Sequence, residues 1–286
     1  DRSIRTVSFV AIIFGCVFFY LEKGRNSHYM LLDVLRLRTI RLGVLLYLLL
    51  MIFNSSAMFV NVFTGIGMKL DNYQNATLGN WCMAGYAIGA LSSMFLGSKG
   101  VHFKYLFAAG FLFLGLSAVF MYFEVQSAGL YERMKYPVII RTTGMMFLYA
   151  LTAAYATQRM PYKYLSTWIC VMLTVRMVLG PSIGGAIYSN VLQERQQHYI
   201  VRYAQNVDML HPEASASFIQ TMQGMQYQGK SKQEALNMAA LSTKGRIQVQ
   251  ATLSAVKEMA GWTIYGCLFC MIFVLIIPYP KRKLLT

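Results

Sequence analysis

Long stretches without a single charged residue dominate this chain. Aspartate, glutamate, lysine and arginine are missing across 6–21, 42–68, 72–98, 105–123, 142–158, 164–175, 177–193 and 259–280. A helix crosses the hydrocarbon core of a bilayer with about 20 apolar residues, within a range of roughly 17–25. Most of these runs meet that length, and the third shortens to about 78–96 once its polar leader is removed. A helix on a soluble core would instead carry polar residues along one face. Only 13% of the 286 residues are charged and 56% are hydrophobic, against about 25% charged in a soluble domain. With a mean hydropathy of +0.45, this excludes disordered, collagenous and disulfide-scaffold classes. The sequence predicts an all-α polytopic membrane bundle of seven spans, at about 6–21, 40–64, 79–97, 104–122, 138–157, 164–190 and 257–278.

The cysteines add little. Cys16, Cys82, Cys170, Cys267 and Cys270 are odd in number and lie inside apolar runs. Cys267-x-x-Cys270 has redox or zinc spacing but no histidine or carboxylate beside it, so buried thiols are expected. The first apolar run ends in Phe18-Phe19-Tyr20-Leu21-Glu22-Lys23, a membrane exit and not a signal-peptide cleavage site. The chain is expected to be a piece of a longer protein, opening in a loop.

Lysine and arginine in short loops orient the spans. One side carries Lys23, Arg25, Arg36, Arg38, Arg41, Lys99, Lys104, Arg159, Lys163, Lys281, Arg282 and Lys283. The other carries Arg2, Arg5, Lys69, Arg133, Lys135 and, at a span's mouth, Arg141. The richer side is expected to be cytoplasmic, which puts the C-terminus and segment 22–40 inside and loop 191–256 outside. That loop holds helix signals. Ser231-Lys232-Gln233-Glu234 is a capping box, in which hydroxyl and carboxylate satisfy a helix's first free N–H groups. The stretch 235–241 behind it reads as a helix, Pro212-Glu213-Ala214 opens another, and 191–207 continues the sixth span with Glu194, Arg195 and Arg202 on its wet face. The net charge of +15 is spread over both faces, with no basic stripe in one element. Nucleic acid is thereby excluded, and anionic lipid head groups are the expected counterpart.

Charges within a bilayer are costly and mark function by default. Arg176 lies twelve residues into the sixth span, and it is expected to face a cavity. Arg141 sits near the external end of the fifth, where it either snorkels to the interface or joins that cavity. No aspartate or glutamate lies deep in any span, so the chain itself lacks the titrating carboxylate a proton-coupled pump needs. Behind Arg176 comes Gly180-Pro181-Ser182-Ile183-Gly184-Gly185, where proline removes a helical hydrogen bond and predicts a bend. Gly180, Gly184 and Gly185 permit close helix contact. Asn54 and Asn61, seven residues apart, are expected on one inward helix face. Tyr86, Tyr149, Tyr155 and Trp168 are either cavity residues or interface anchors. His28, His102, His198 and His211 are isolated, and no metalloprotease or phosphate-loop signature occurs. Neither an enzyme nor a metal or cofactor is expected.

Together these pieces resemble the C-terminal half of a major facilitator superfamily transporter, of the fourteen-span EmrB/QacA drug:proton antiporter type. Residues 1–22 look like the end of an extra span between two six-helix halves. Residues 23–40 are similar to the family's cytoplasmic linker, although Met30-Leu31-Leu32-Asp33-Val34-Leu35-Arg36 lacks its proline. Segment 41–190 would be the first five spans of the half, 191–256 its wide external loop, and 257–286 the last span and cytoplasmic tail. Gly180-Pro181-Ser182-Ile183-Gly184-Gly185 resembles the antiporter motif G-x-x-x-G-P-x-x-G-G, with Arg176 where its first glycine would stand. The loop at 97–104 occupies the place of a basic loop but lacks its aspartate. The resemblance implies alternating access about a midplane cavity, in a multi-pass protein of the bacterial cytoplasmic membrane. Its implied partners are a missing N-terminal half carrying the proton-binding carboxylates, protons, an amphipathic small-molecule substrate and a periplasmic adaptor. Two other readings stay open. One is a facilitator importing a nutrient or organic anion, with Arg176 binding substrate. The other is a non-transporting membrane subunit whose external helices dock a partner.

Overall fold

A computed structural model describes residues 9–10, 13–17, 20–21, 37–126, 131–158, 160–206 and 212–279. The linker motif at 30–36, His28, His211, Arg159 and the basic cluster at 281–283 lie outside the described residues, as do 6–8, 11–12 and 18–19 of the expected first span. Among the described residues the structure is helical, with no strand. The elements are α1 (Arg38–Asn54), α2 (Ala57–Val62), α3 (Asn72–Ser98), α4 (Phe103–Glu124), α5 (Tyr131–Thr157), α6 (Leu165–Thr174), α7 (Gly180–Asn206), α8 (Pro212–Tyr227) and α9 (Lys232–Ile276). A π turn over Phe63–Gly67 follows α2, and another over Val175–Leu179 joins α6 to α7.

Five helical stretches are long and apolar enough to cross a membrane: Arg38–Gly67, Phe103–Glu124, Tyr131–Thr157, Tyr162–Gln205 and Lys232–Ile276. Helix α3 has the length, at 27 residues, but Asn72, Gln74, Asn75 and Asn80 dilute its apolar character. It buries little beyond Leu78, Gly85, Gly89 and Ser93.

Helix α4 packs between α5 and α9, α3 lies on α5, and α1 is wedged between α5 and α7. The main core joins Tyr47 and Leu50 of α1 to Phe107 and Phe111 of α4 and Phe147 and Leu148 of α5. A second core gathers Phe59, Phe63, Met121, Met134 and Val256. Lipid tails are as apolar as leucine, so close backbone approach, not apolar burial, must hold such helices together. Glycine supplies it at the α3–α5 and α1–α7 contacts, among others. A Cβ on Gly85 would strike Thr142, and one on Gly89 would come within 2.5 Å of the Thr143 carbonyl. These two, with Ser93 four residues on, let α3 lie flush on α5. Gly180 likewise meets Met51, and Gly184 meets Ser55, which seats α7 on α1. Gly185 faces open space and has no part in that seat.

The stretch expected as an external loop is mostly regular helix. Helix α9 runs 45 residues without a proline, about 67 Å at 1.5 Å per residue, or roughly twice a bilayer core. The capping box starts it as expected: Ser231 Oγ accepts from Glu234 N–H at 3.3 Å, and Ser231 N–H donates to Glu234 Oε2 at 3.1 Å. Helix α7 runs alongside. Gln196 donates to Thr252 Oγ1 at 2.8 Å, Tyr203 and Ser254 hydroxyls meet at 2.7 Å, and Arg195 pairs with Glu258 at 3.6 Å. Arg246 donates to Ser217 at 3.0 Å and ties α8 to α9.

Candidate functional site

Helix α1 ends at Asn54 because its ladder fails there. Ser55 Oγ donates back to the Met51 carbonyl at 3.2 Å, a side-chain bond that competes with the helix. Met58 and Phe59 N–H then reach only to the carbonyls of Ser55 and Ser56. The Asn54 carbonyl is left at a helix C-terminus, where the macrodipole favours a cation. Arg141 of α5 supplies one. Its Nη1 donates to Asn54 Oδ1 at 3.0 Å and lies 3.5 Å from the Asn54 carbonyl oxygen. Arg141 therefore turns into the bundle and does not snorkel. Cys82 and Tyr86 of α3 are its nearest electrostatic neighbours on the other side.

The second arginine sits in the π turn. Pro181 has no N–H to give to residue 177, and the chain absorbs that loss by widening the preceding turn. Gly180 N–H bonds to the Val175 carbonyl, five residues back. The expected irregularity at this motif thus takes the form of one π turn over Val175–Leu179, a device that recurs at functional sites. It holds Arg176 on the exposed face of the bundle, with its guanidinium 5.1 Å from the centre of the Tyr149 ring. Tyr149 packs edge-on against Tyr47 at 5.1 Å and donates its hydroxyl to Met51 Sδ at 3.2 Å. Tyr86 lies within electrostatic reach of both Tyr149 and Arg141.

Residues of α1, α3, α5 and the π turn thus form one polar, aromatic face: Asn54, Arg141, Tyr86, Tyr149 and Arg176, with Tyr47 beneath. Among the described residues no carboxylate pairs with either arginine. Arg176 meets the Tyr149 ring, while Asn54 bonds Arg141. Asn61 is not part of the face. The break at Ser55 and Ser56 spoils the seven-residue phase, and Asn61 is exposed on α2, where its carbonyl accepts from Thr64. Trp168 and Tyr155 are buried elsewhere, Trp168 against Gly43 and Tyr155 among Phe103, Phe107 and Tyr279. Cys267 and Cys270 are free thiols buried in the main core. Among the described residues no group of His, Cys, Asp or Glu could hold a metal ion.

Two contributors were not singled out from sequence. Tyr47 carries no local signal, since one tyrosine in an apolar run fits any position. The Gly85-x-x-x-Gly89-x-x-x-Ser93 spacing was legible as small-residue packing and places Tyr86 on the free side of α3.

Fold and face together define an all-helical bundle with helices able to cross a membrane and one polar side. Compared with protein-family models and with curated proteins, the sequence matches none.

Proposed function

We propose that this chain is the C-terminal half of a secondary transporter that moves amphipathic small molecules across a membrane by alternating access, as a proton-coupled exporter. One observation carries the reading. A charged and aromatic surface, Arg176 on Tyr149 beside Tyr86, lies on the outside of a bundle whose apolar helices suit a bilayer, with the Asn54–Arg141 pair turned inward behind it. Guanidinium groups facing lipid cost from about 2.5 kcal/mol upward, so this face belongs against a second protein surface or an aqueous cavity. An opposing half would close that cavity and supply proton-binding carboxylates. In this reading α3 is also a span, and the half contains six, the last of them α9. Arg176 holds the cavity positive when a facing carboxylate releases its proton, which links protonation to substrate occupancy.

The absence of any carboxylate paired to the two arginines among the described residues favours a second reading, in which the substrate is itself an organic anion. Movement of ethidium and of naphthalene-2-carboxylate across the membrane of everted vesicles containing the full-length protein, where export appears as uptake into the lumen, separates the two. The exporter of cationic drugs moves ethidium, whereas the anion carrier moves only the carboxylate. In either case Arg176→Ala abolishes movement with protein still in the membrane, and Arg176→Lys retains part of it. Normal transport by Arg176→Ala sinks the assigned role.

A further inference from the structure

The face described above accounts for one side of Arg141 only. Its Nη1 is bonded to Asn54, but its Nε is buried and has no hydrogen-bond partner. A buried donor of a charged group left unpaired costs more than a neutral one, so its surroundings should hold an acceptor. Inside the bundle Arg141 lines a cavity of about 20 Å³ between the α1–α2 break, α4, α5 and α9. Ser56, Ser117 and Thr263 line it too, and no carboxylate does. Space for a single water needs only about 10–15 Å³ on this measure. The cavity therefore accepts one monatomic ion and is too small for phosphate or sulfate.

Charge decides what sort of occupant suits it. The guanidinium is permanently protonated, and the acids of the neighbouring elements are engaged elsewhere. Glu124 pairs with Arg133, Glu132 with Lys135, and Glu258 with Arg195. The cavity's polar groups are a cation and three hydroxyls; Thr263 gives its proton to the Met259 carbonyl, which leaves Ser56 and Ser117 as the hydroxyl donors. Hydroxyl donors around an unpaired guanidinium, in a space one atom wide, suit a halide.

We propose that this cavity is a chloride site, in which the ion accepts from Arg141 Nε and the Ser56 and Ser117 hydroxyls and neutralises the buried charge. The site lies beyond the transport reading and does not rest on it. Occupied, it leaves Arg176 as the one uncompensated arginine of the polar face.

The test uses purified full-length protein and chloride itself. The unfolding midpoint is followed while sodium chloride replaces sodium gluconate at constant ionic strength. A site filled at ten times its Kd raises the midpoint by roughly 3 °C, saturably, and bromide does the same. Ala118 also lines the cavity, and Ala118→Val fills it with Arg141 untouched, so the chloride response is lost. Arg141→Gln loses it as well but also removes the bond to Asn54, so Ala118→Val carries the decision. Bromide-soaked crystals place an anomalous peak beside Arg141 Nε. Equal midpoints in chloride and gluconate overturn the proposal, because water alone then fills the space. So does a chloride response that survives in Ala118→Val, or a bromide peak absent from the cavity.

Discussion

Tyr149 does two jobs with two parts of one side chain, and substitution separates them. Its ring carries the Arg176 guanidinium, while its hydroxyl reaches Met51 sulfur. Tyr149→Phe keeps the ring and should leave stability and transport nearly unchanged. Tyr149→Leu removes a cation–π contact worth about 0.5–2 kcal/mol, and a double-mutant cycle with Arg176→Gln in unfolding experiments should return a coupling of that size. Zero coupling would make the pairing incidental. Glu234 titrates on the wet side of the molecule. Its carboxylate is held below the usual range by the Ser231 backbone N–H first and the Ser231 hydroxyl second. A depressed carboxylate stabilises the fold above its unfolded pKa, and that contribution fades as pH falls through the folded value. The first turn of α9 should therefore fray in acid, seen as lower amide-exchange protection factors at Glu234 and Ala235, and Glu234→Ala should show the same fraying at neutral pH.

Helix contacts give a sharper forecast, because glycines close together in sequence differ in surroundings. Gly184→Leu drives a side chain into Ser55 and the α1 backbone, and overpacking of this kind costs typically 1–3 kcal/mol. Gly185→Leu points into open space and should leave the unfolding midpoint unmoved. If both variants melt alike, the α1–α7 seat is wrong. The same contrast shows what the sequence discloses. Charge-free runs locate the bulk of four of the five described spanning helices and the membrane-length end of the fifth, because a bilayer tolerates little else and the constraint is one-dimensional. The capping box at Ser231 is equally local, so it is legible. The break at Ser55 and Ser56 is not, for it depends on an arginine 87 positions away that stabilises the exposed carbonyl. That break is why Asn54 reaches the polar face and Asn61 does not. Proline at 181 announces an irregularity, but whether the chain bends or widens into a π turn depends on how closely Gly180 can approach Met51. The long loop was legible only in part. Its capping box and Pro212 mark helix starts, whereas the fusion of 232–258 with the last span leaves no punctuation to read.

The assembled bundle joins a thick apolar body to a helical extension built from the ends of α7 and α9 and from α8. In the orientation we propose from the basic residues of the short loops, that extension lies on the external side, opposite 22–40. Cysteine introduced at Ser231 and at Asn26 should label from opposite faces of sealed cells, with Ser231 reached from outside; labelling from the same face would invert the arrangement. The polar bonds from Gln196, Tyr203 and Arg195 to α9 make the extension an ordered part of the molecule. One consequence follows from α9 alone. A rod that in the proposed orientation passes from membrane to external space with no proline or break cannot be tilted at one end only. Roughly 35 Å of it stands beyond a 30 Å hydrocarbon core, so a tilt of about 10° in the bilayer swings the far tip by about 6 Å. The extension thus acts as a pointer whose needle magnifies small motions of the buried helix, and a spin label near Ser231 would record the posture of the whole bundle from outside the cell.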